Sequence, residues 1–178
     1  MLGTKELLRL VGEIGLVEGL SERELTNPEG SGFDLRVGEV HGIMGGEAFL
    51  GESDRRTPET ELLAKYGVHK DYILRPGGYV LVKTIERVNL PKNMNLLIKP
   101  RSTLQRCGVL LPNGSFSPGY SGEFNFGLYN AGKNDFRFEL GARIAHVYFF
   151  MTGENHSSYR GQWQGGRVST DGVTERQV

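Results

Sequence analysis

Short apolar runs separated by glycine-bearing turns dominate this chain and leave little room for anything but a β-rich fold. Phe33–Val37 and Gly78–Thr84 alternate apolar and polar residues, the period of a strand with one buried face. Asn95–Lys99, Val109–Leu111 and Ile144–Phe150 are short apolar runs. Glu123–Tyr129 alternates cleanly, with Phe124, Phe126 and Leu128 on one face. Between these runs stand Pro76-Gly77-Gly78, Pro112-Asn113-Gly114, Ser117-Pro118-Gly119 and Asn130-Ala131-Gly132, all turn sequences. Glycine supplies 26 of 178 residues. That is about twice the usual ~7%, spread without a fixed period, as many tight turns require. This spacing predicts an all-β barrel or jelly roll.

Two segments carry helical spacing. In Thr4–Gly15 the apolar residues Leu7, Leu8, Leu10, Val11 and Ile14 share one face, with Thr4 as the expected N-cap. Pro58–Tyr66 is expected to be a second helix, because Thr57-Pro58-Glu59 has the form of a helix start. The expected organisation is one domain over residues 1–152, including the N-terminal helix, and a flexible arm over 153–178. Within that polar, glycine-rich arm Tyr159, Arg160, Gln162, Trp163 and Gln164 lie close together. Such an aromatic anchor is expected to order over a ligand or against a neighbouring subunit.

Charge and cysteine content narrow the function classes. The 21 basic and 21 acidic residues balance, which argues against a broad nucleic-acid surface but leaves room for one local basic pocket. Cys107 is the single cysteine, so neither an intrachain disulfide nor a cysteine-based zinc site is expected. His41, His69, His146 and His156 show no metal-ligand spacing, and no protein metal site is expected. No apolar run reaches the roughly 18 residues of a membrane span, and Met1–Val17 lacks a signal-peptide pattern. A cytoplasmic protein with no membrane partner is the expectation.

Two segments carry candidate chemistry. Pro100–Gly108 places Arg101, Ser102, Thr103 and Arg106 just after an apolar strand. Hydroxyls and backbone N–H groups at a strand-to-helix junction hold phosphate oxygens, and arginine adds bidentate bonds. A capped, solvated helical turn is the alternative reading. Gly114–Glu123 reads as a hairpin with Tyr120 at the mouth of the following strand, or simply as a turn.

Taken together, these motifs resemble the dUTPase/dCTP deaminase superfamily. Arg101-Ser102-Thr103-Leu104-Gln105-Arg106-Cys107-Gly108 is similar to the arginine–serine–serine–leucine motif of dCTP deaminases and its shorter form in dUTPases. Ser117-Pro118-Gly119-Tyr120-Ser121-Gly122-Glu123 resembles the substrate hairpin, and Gly32-Phe33-Asp34-Leu35-Arg36 the first dUTPase motif. Gly141-Ala142-Arg143-Ile144-Ala145 resembles the fourth motif, and Tyr159–Gly165 the C-terminal motif of archaeal-type members.

The resemblance implies a distorted jelly-roll-like β-barrel of the dUTPase type. It implies a homotrimer with sites at subunit interfaces, and magnesium carried on a deoxyribonucleoside triphosphate, dUTP or dCTP. Substrate-binding residues would be Arg101, Ser102, Thr103, Asn113, Tyr120, His146, Tyr159, Gln162, Trp163 and Gln164. Among them Ser102 would bind phosphate, Tyr120 would pack on the deoxyribose, and the arm would close over the triphosphate. Ser117, Glu123 and Arg106 are the candidate catalytic residues.

The sequence departs from both reactions of that superfamily. The glutamate that shuttles protons in deamination is expected at position 127, which is Gly127. Glu123, on the same strand face, is roughly 13 Å away at ~3.3 Å per residue. The aspartate that orients water in dUTPases is replaced by Ser117, with Glu123 or Asp34 as substitute carboxylates. His146 stands where glutamine is usual; it either contacts phosphate or is a satisfied strand histidine. Pyrophosphohydrolysis of dUTP to dUMP and pyrophosphate is the leading expectation. Deamination of dCTP, supported by Arg106, and nucleotide binding without catalysis are the alternatives.

Overall fold

A computed structural model describes residues 1–112, 114–153 and 157–177. Its helices are α1 (Thr4–Ile14), α2 (Glu22–Thr26) and α3 (Ser102–Arg106). The long strands are β2 (Phe33–Ile43), β7 (Tyr79–Asn89), β8 (Met94–Pro100), β11 (Ser121–Asn130) and β13 (Arg143–Met151). Shorter strands are β1 (Val17–Glu18), β3 (Phe49–Leu50), β4 (Asp54–Arg56), β5 (Thr60–Lys65), β6 (Asp71–Leu74), β9 (Val109–Leu110), β10 (Gly114–Phe116), β12 (Phe136–Glu139) and β14 (Glu175–Arg176).

The main sheet runs β10-β8-β13-β2-β7-β11-β9, with β1 added on β7 and β5 on β2, and it curls into a half-barrel. Every pairing is antiparallel. Alternation decides which face is inside. Along β7, Val80, Val82, Thr84, Glu86 and Val88 are buried, while Leu81, Lys83 and Arg87 face outward. Along β11, Phe124, Phe126 and Leu128 point inward, as their spacing predicts. Phe33 and Phe149 meet edge-on in the core, and Leu7 of α1 closes one side of it. The predicted mostly-β, jelly-roll-like fold with a short N-terminal helix is therefore the fold observed. Among the described residues no helix is long and apolar enough to cross a membrane.

Two local expectations fail. Pro58–Tyr66 is not a helix: Thr60–Lys65 forms β5, an edge strand in register with Glu39–Ile43 of β2. Pairing along an open sheet edge outweighs the helix-start signal of Thr57-Pro58-Glu59. Nor is Thr4 the cap of α1. Gly3 holds that position without a side-chain bond, and the Thr4 hydroxyl donates to the Gly30 carbonyl 2.6 Å away.

The carboxyl-terminal segment is stitched to the rest of the chain. β14 pairs with β4, which pairs with β3, giving a small three-stranded sheet. Thr57 and Thr170 exchange backbone and hydroxyl hydrogen bonds, and Arg56 donates to the Thr174 hydroxyl. Residues 49–60 and 168–177 thus form a single flap, and its Thr57, Pro58, Val168 and Ser169 share one hollow with Ile43 of β2, Leu81 of β7 and Asn125 of β11.

Candidate functional site

Two hollows carry five of the predicted site residues, Arg101, Ser102 and His146 in one and Tyr120 and Trp163 in the other, and no residue lines both. The first is built by strand register. His146 of β13 lies directly opposite Asp34 of β2 and opposite Lys99 of β8. β8 ends at Pro100, so Arg101 and the first residues of α3 arrive beside that pair. A cleft of about 270 Å³ results, lined by Asp34, Arg101, Ser102, His146, Tyr148 and Glu29.

Asp34 is the hub of this cleft. It is 1% exposed, and its Oδ2 accepts from Arg101 and, at 2.8 Å, from Arg143. His146 Nδ1 lies 2.8 Å from its Oδ1. Burial opposes ionisation of Asp34. The hydrogen bond to His146 and the charges of Arg101, His146 and Arg143 outweigh it and hold the carboxyl below its ordinary value. The basic groups are oriented by one buried anion, while Ser102 remains exposed at the start of α3.

The second hollow, about 350 Å³, lies beneath the flap and beside the 114–123 segment; that segment is a turn and not the expected hairpin, because β10 pairs with β8 while β11 pairs with β7 and β9. Its walls include Ile43, Leu81, Phe116, Tyr120, Asn125 and Trp163. Tyr120 is 2% exposed and packed among Phe116, Phe124 and Tyr159. Its hydroxyl donates to the Glu123 carbonyl at 2.6 Å. The arm docks on this turn through the Tyr159 and Gly165 N–H groups, which donate to the Pro118 and Ser121 carbonyls. Gln164 bonds both the Gly119 carbonyl and the Ser121 N–H. Gly122 permits this approach, since a Cβ there would stand 2.8 Å from the Gly165 carbonyl carbon. The Arg55 guanidinium sits 4.6 Å above the Trp163 ring and ties that ring to the flap.

Residues 1–152 match the family model described as dCTP deaminase-like. The chain belongs to this family. It is 34% identical over 154 residues to a probable deoxyuridine 5′-triphosphate nucleotidohydrolase of Aeropyrum pernix, covering 85% of this chain and 92% of the relative. It is 28% identical over 174 residues to a dUMP-forming dCTP deaminase of Sulfurihydrogenibium, covering 96% and 94%. The fold is also that of a solved 2′-deoxycytidine 5′-triphosphate deaminase from Agrobacterium tumefaciens, with a TM-score of 0.64 at 15% identity. That match covers 85% of this chain and 48% of the solved one, so the chain spans about half of that structure's length.

Against this family background the predicted residues divide by place. Arg101, Ser102 and His146 meet at the Asp34 cleft, and Thr103 follows on α3, turned towards a neighbouring hollow with Arg101 and Arg143. Tyr120 and Trp163 line the flap pocket, with Tyr159 and Gln164 beside the 117–121 turn at its edge. Gln162 reaches the Arg176 carbonyl and so braces the flap. Ser117 is exposed where the turn between β10 and β11 begins, and Arg106 is exposed at the end of α3. Glu123 lines neither hollow. It lies 3.9 Å from both Lys83 and Arg87, in a separate groove with Glu39 and Lys65. Asn113 and His156 lie outside the described residues.

Arg143 and Asn125 were not among the predicted site residues. Arg143 sits inside the quoted fourth motif, and its charge beside Ile144 was the available signal. Asn125 is an outward-facing polar residue on β11 whose Nδ2 donates to the Gly166 and Arg167 carbonyls at 3.1 Å. Only the docked arm gives it partners, so nothing local in the sequence marked it.

Proposed function

We propose that this protein is a dUTPase-type pyrophosphohydrolase that converts dUTP to dUMP and pyrophosphate. The observation that carries this over deamination is at Gly127. The Tyr79 ring lies across it, and a side chain beginning there would overlap the Tyr79 hydroxyl and stand 2.7 Å from Cζ. No carboxylate is presented to a base at this point of β11, and deamination lacks its proton shuttle. Cleavage of a phosphoanhydride needs mainly positioning and charge neutralisation, for which the Asp34 cleft offers Arg101, Arg143, Ser102 and His146.

In this reading the apolar flap pocket takes the nucleoside, with Tyr120 against the deoxyribose. The cleft takes the phosphates, and the arm from residue 153 closes the site. Because no residue lines both hollows, a complete site takes its cleft and its pocket from different copies of a homotrimer. The cleft's donor set does not suit a resident divalent ion. Asp34 is engaged by two arginines and His146, and Glu29 pairs with Arg23 at 3.2 Å. Magnesium is therefore assigned to the incoming triphosphate. The lone, exposed Cys107 suits a reducing, cytoplasmic setting.

Arg106 and the relative named as a dUMP-forming dCTP deaminase favour the second reading, deamination of dCTP. Incubating the pure protein with dUTP or dCTP and magnesium, then resolving the products, tests both. Release of dUMP and pyrophosphate from dUTP is expected, with dCTP unchanged. Ammonia from dCTP establishes the second reading, and binding without turnover overturns both.

A further inference from the structure

The geometry points to a second anion site on this chain, suited to a small organic phosphate with a flat apolar body, in a hollow of about 420 Å³ between α3, β12 and the start of β13. This hollow shares a single residue, Arg101, with the Asp34 cleft. An occupant is therefore placed to weaken whatever that cleft binds. Only this coupling rests on reading the cleft as the phosphate seat.

Backbone donors come first. β12 pairs with β6 from Phe136 opposite Leu74 to Glu139 opposite Asp71, and the next N–H, that of Leu140, donates to the Lys70 carbonyl at 3.0 Å. In an antiparallel ladder alternate residues turn both main-chain groups to the partner strand. Phe136, Phe138 and Leu140 thus bond towards β6, and Arg137 and Glu139 turn their groups away from it. The Glu139 carbonyl accordingly accepts from the Ala142 N–H at 3.1 Å. The Arg137 and Glu139 N–H groups have no hydrogen-bond partner among the described residues. All four residues of β12 line the hollow, so this free edge is part of its wall.

The side chains add charge above an apolar floor. Arg101, Arg137 and Arg143 line the hollow against one carboxylate, the exposed Glu139. Arg101 and Arg143 each commit one terminal nitrogen to Asp34, which leaves further N–H donors on both forks. Arg137 is well exposed, and its partner Asp71 stands 3.7 Å away, beyond hydrogen-bond reach. Leu104, Phe138 and Ile144 are buried beneath these groups, and the Phe136 and Phe138 rings stack 5.6 Å apart. Guanidinium forks and open N–H groups match a phosphate head, and the aromatic floor matches a flat apolar body. The volume is that of a small-molecule site. A ligand that engages Arg101 from this side competes with a polyphosphate for the same guanidinium and repels it by charge. Each ligand therefore weakens the other, by the same factor.

Phenyl phosphate is the probe. Calorimetric titration of the full-length protein should find one bound per chain, both without inorganic triphosphate and with the protein saturated by it. Affinity for the probe should be several-fold lower in the second case. With triphosphate present, inorganic phosphate should bind at least about tenfold more weakly than phenyl phosphate, because it leaves the apolar floor uncovered. R137A should lose about tenfold or more in affinity for phenyl phosphate, the loss of one charge-assisted contact. It should keep wild-type affinity for triphosphate and an unchanged thermal melt, since Arg137 lies outside the Asp34 cleft. Complete displacement of phenyl phosphate by triphosphate, with R137A binding the probe like wild type, would place the probe in the cleft and overturn the inference. Absence of binding overturns it too, as when a neighbouring copy covers the hollow. Probe binding that needs Arg137 but leaves triphosphate affinity unchanged upholds the site and overturns the coupling. Failure of triphosphate to bind removes the phosphate-seat reading of the cleft, while probe binding that needs Arg137 still upholds the site.

Discussion

The ring of Tyr79 on β7 covers Gly127 on the neighbouring β11, so that the space above that glycine belongs to a side chain two strand positions from its direct partner Leu81. Tyr79 is half-exposed and able to swing, so the two positions are coupled and not rigidly locked. Gly127→Glu alone is expected to cost ~1–3 kcal/mol of stability as an overpacking change. Combined with Tyr79→Ala the loss should be smaller than the sum, with a coupling of ~0.5–3 kcal/mol. Urea denaturation of the four proteins of this cycle measures it. Additivity would mean that Tyr79 does not occupy the Gly127 site in solution.

The strand pattern was legible because its determinants are local. Phe124, Phe126 and Leu128 alternate, and Pro118-Gly119 forces a turn, whatever else the chain does. The flap was not legible, because β3, β4 and β14 are each two or three residues long and β14 reaches β4 across more than a hundred residues. Pairing with β2, outside any short window, turned Pro58–Tyr66 from expected helix to strand. In the site, Arg101, Ser102 and Tyr120 announce themselves by motif. The partnership of Asp34 with Arg143 and His146 comes from antiparallel register, which no short window reveals.

Tyr120 serves the core and the pocket at once, and two substitutions separate these roles. Tyr120→Phe keeps the ring between Phe116 and Tyr159 and loses only the bond to the Glu123 carbonyl, for ~1 kcal/mol. If the ring packs on the deoxyribose as proposed, the wild type should prefer dUTP over UTP, and Tyr120→Phe should retain that preference. Tyr120→Ala empties a buried site at ~3–5 kcal/mol and should narrow that preference while weakening both nucleotides. Thermal melts and titrations with the two nucleotides check this. Loss of the preference already in Tyr120→Phe would assign discrimination to the hydroxyl.

Trp163 is the only tryptophan, so its fluorescence reports the arm directly. Gly166→Ala places a methyl group 2.9 Å from the Glu123 N–H nitrogen and should lift the arm from β11 and the turn before it. The expected result is red-shifted emission and a raised KM, with little change in the melting of the barrel. Arg55→Ala removes the cation above the indole, worth ~0.5–2 kcal/mol, and should give a smaller shift in the same direction. Unchanged emission in both variants would show that the arm is not docked in solution.

Glu86 and Asp34 give the stability profile two opposing slopes. Burial pushes the Glu86 carboxyl up, with Arg36 only partly offsetting it. Its folded form binds a proton more readily than its unfolded form, so its contribution grows as pH falls from neutrality towards the ordinary carboxylate value. Asp34 is shifted down, so its contribution is present above that value and is lost as pH falls below it. Arg36→Ala strips Glu86 of its charged partner, at 2.6 Å in the wild type, and leaves it the residue 36 N–H; it should cost ~3–5 kcal/mol at neutral pH. That penalty should shrink between pH 7 and pH 5, because the raised carboxyl binds a proton more readily. Denaturation at the two pH values measures it; a pH-independent penalty would mean that Glu86 is already neutral at pH 7.

The separation of cleft and pocket on one chain makes assembly testable by activity. Ser102→Ala disables the cleft and leaves the pocket intact. Trp163→Ala disables the pocket wall and leaves the cleft intact. If each site joins the cleft of one copy to the pocket of another, co-expressed chains carrying these two substitutions form some sites with both halves unaltered. Random mixing should restore about a quarter of wild-type turnover, because each half is intact in about half of the chains. Light scattering should give a mass near three 19.8 kDa chains for wild type and for both variants. If a single chain supplied both halves, every site in the mixture would carry one damaged half, and turnover would stay at the level of the separate variants. A monomeric mass would lead to the same outcome and would require the cleft and the pocket to bind different ligands.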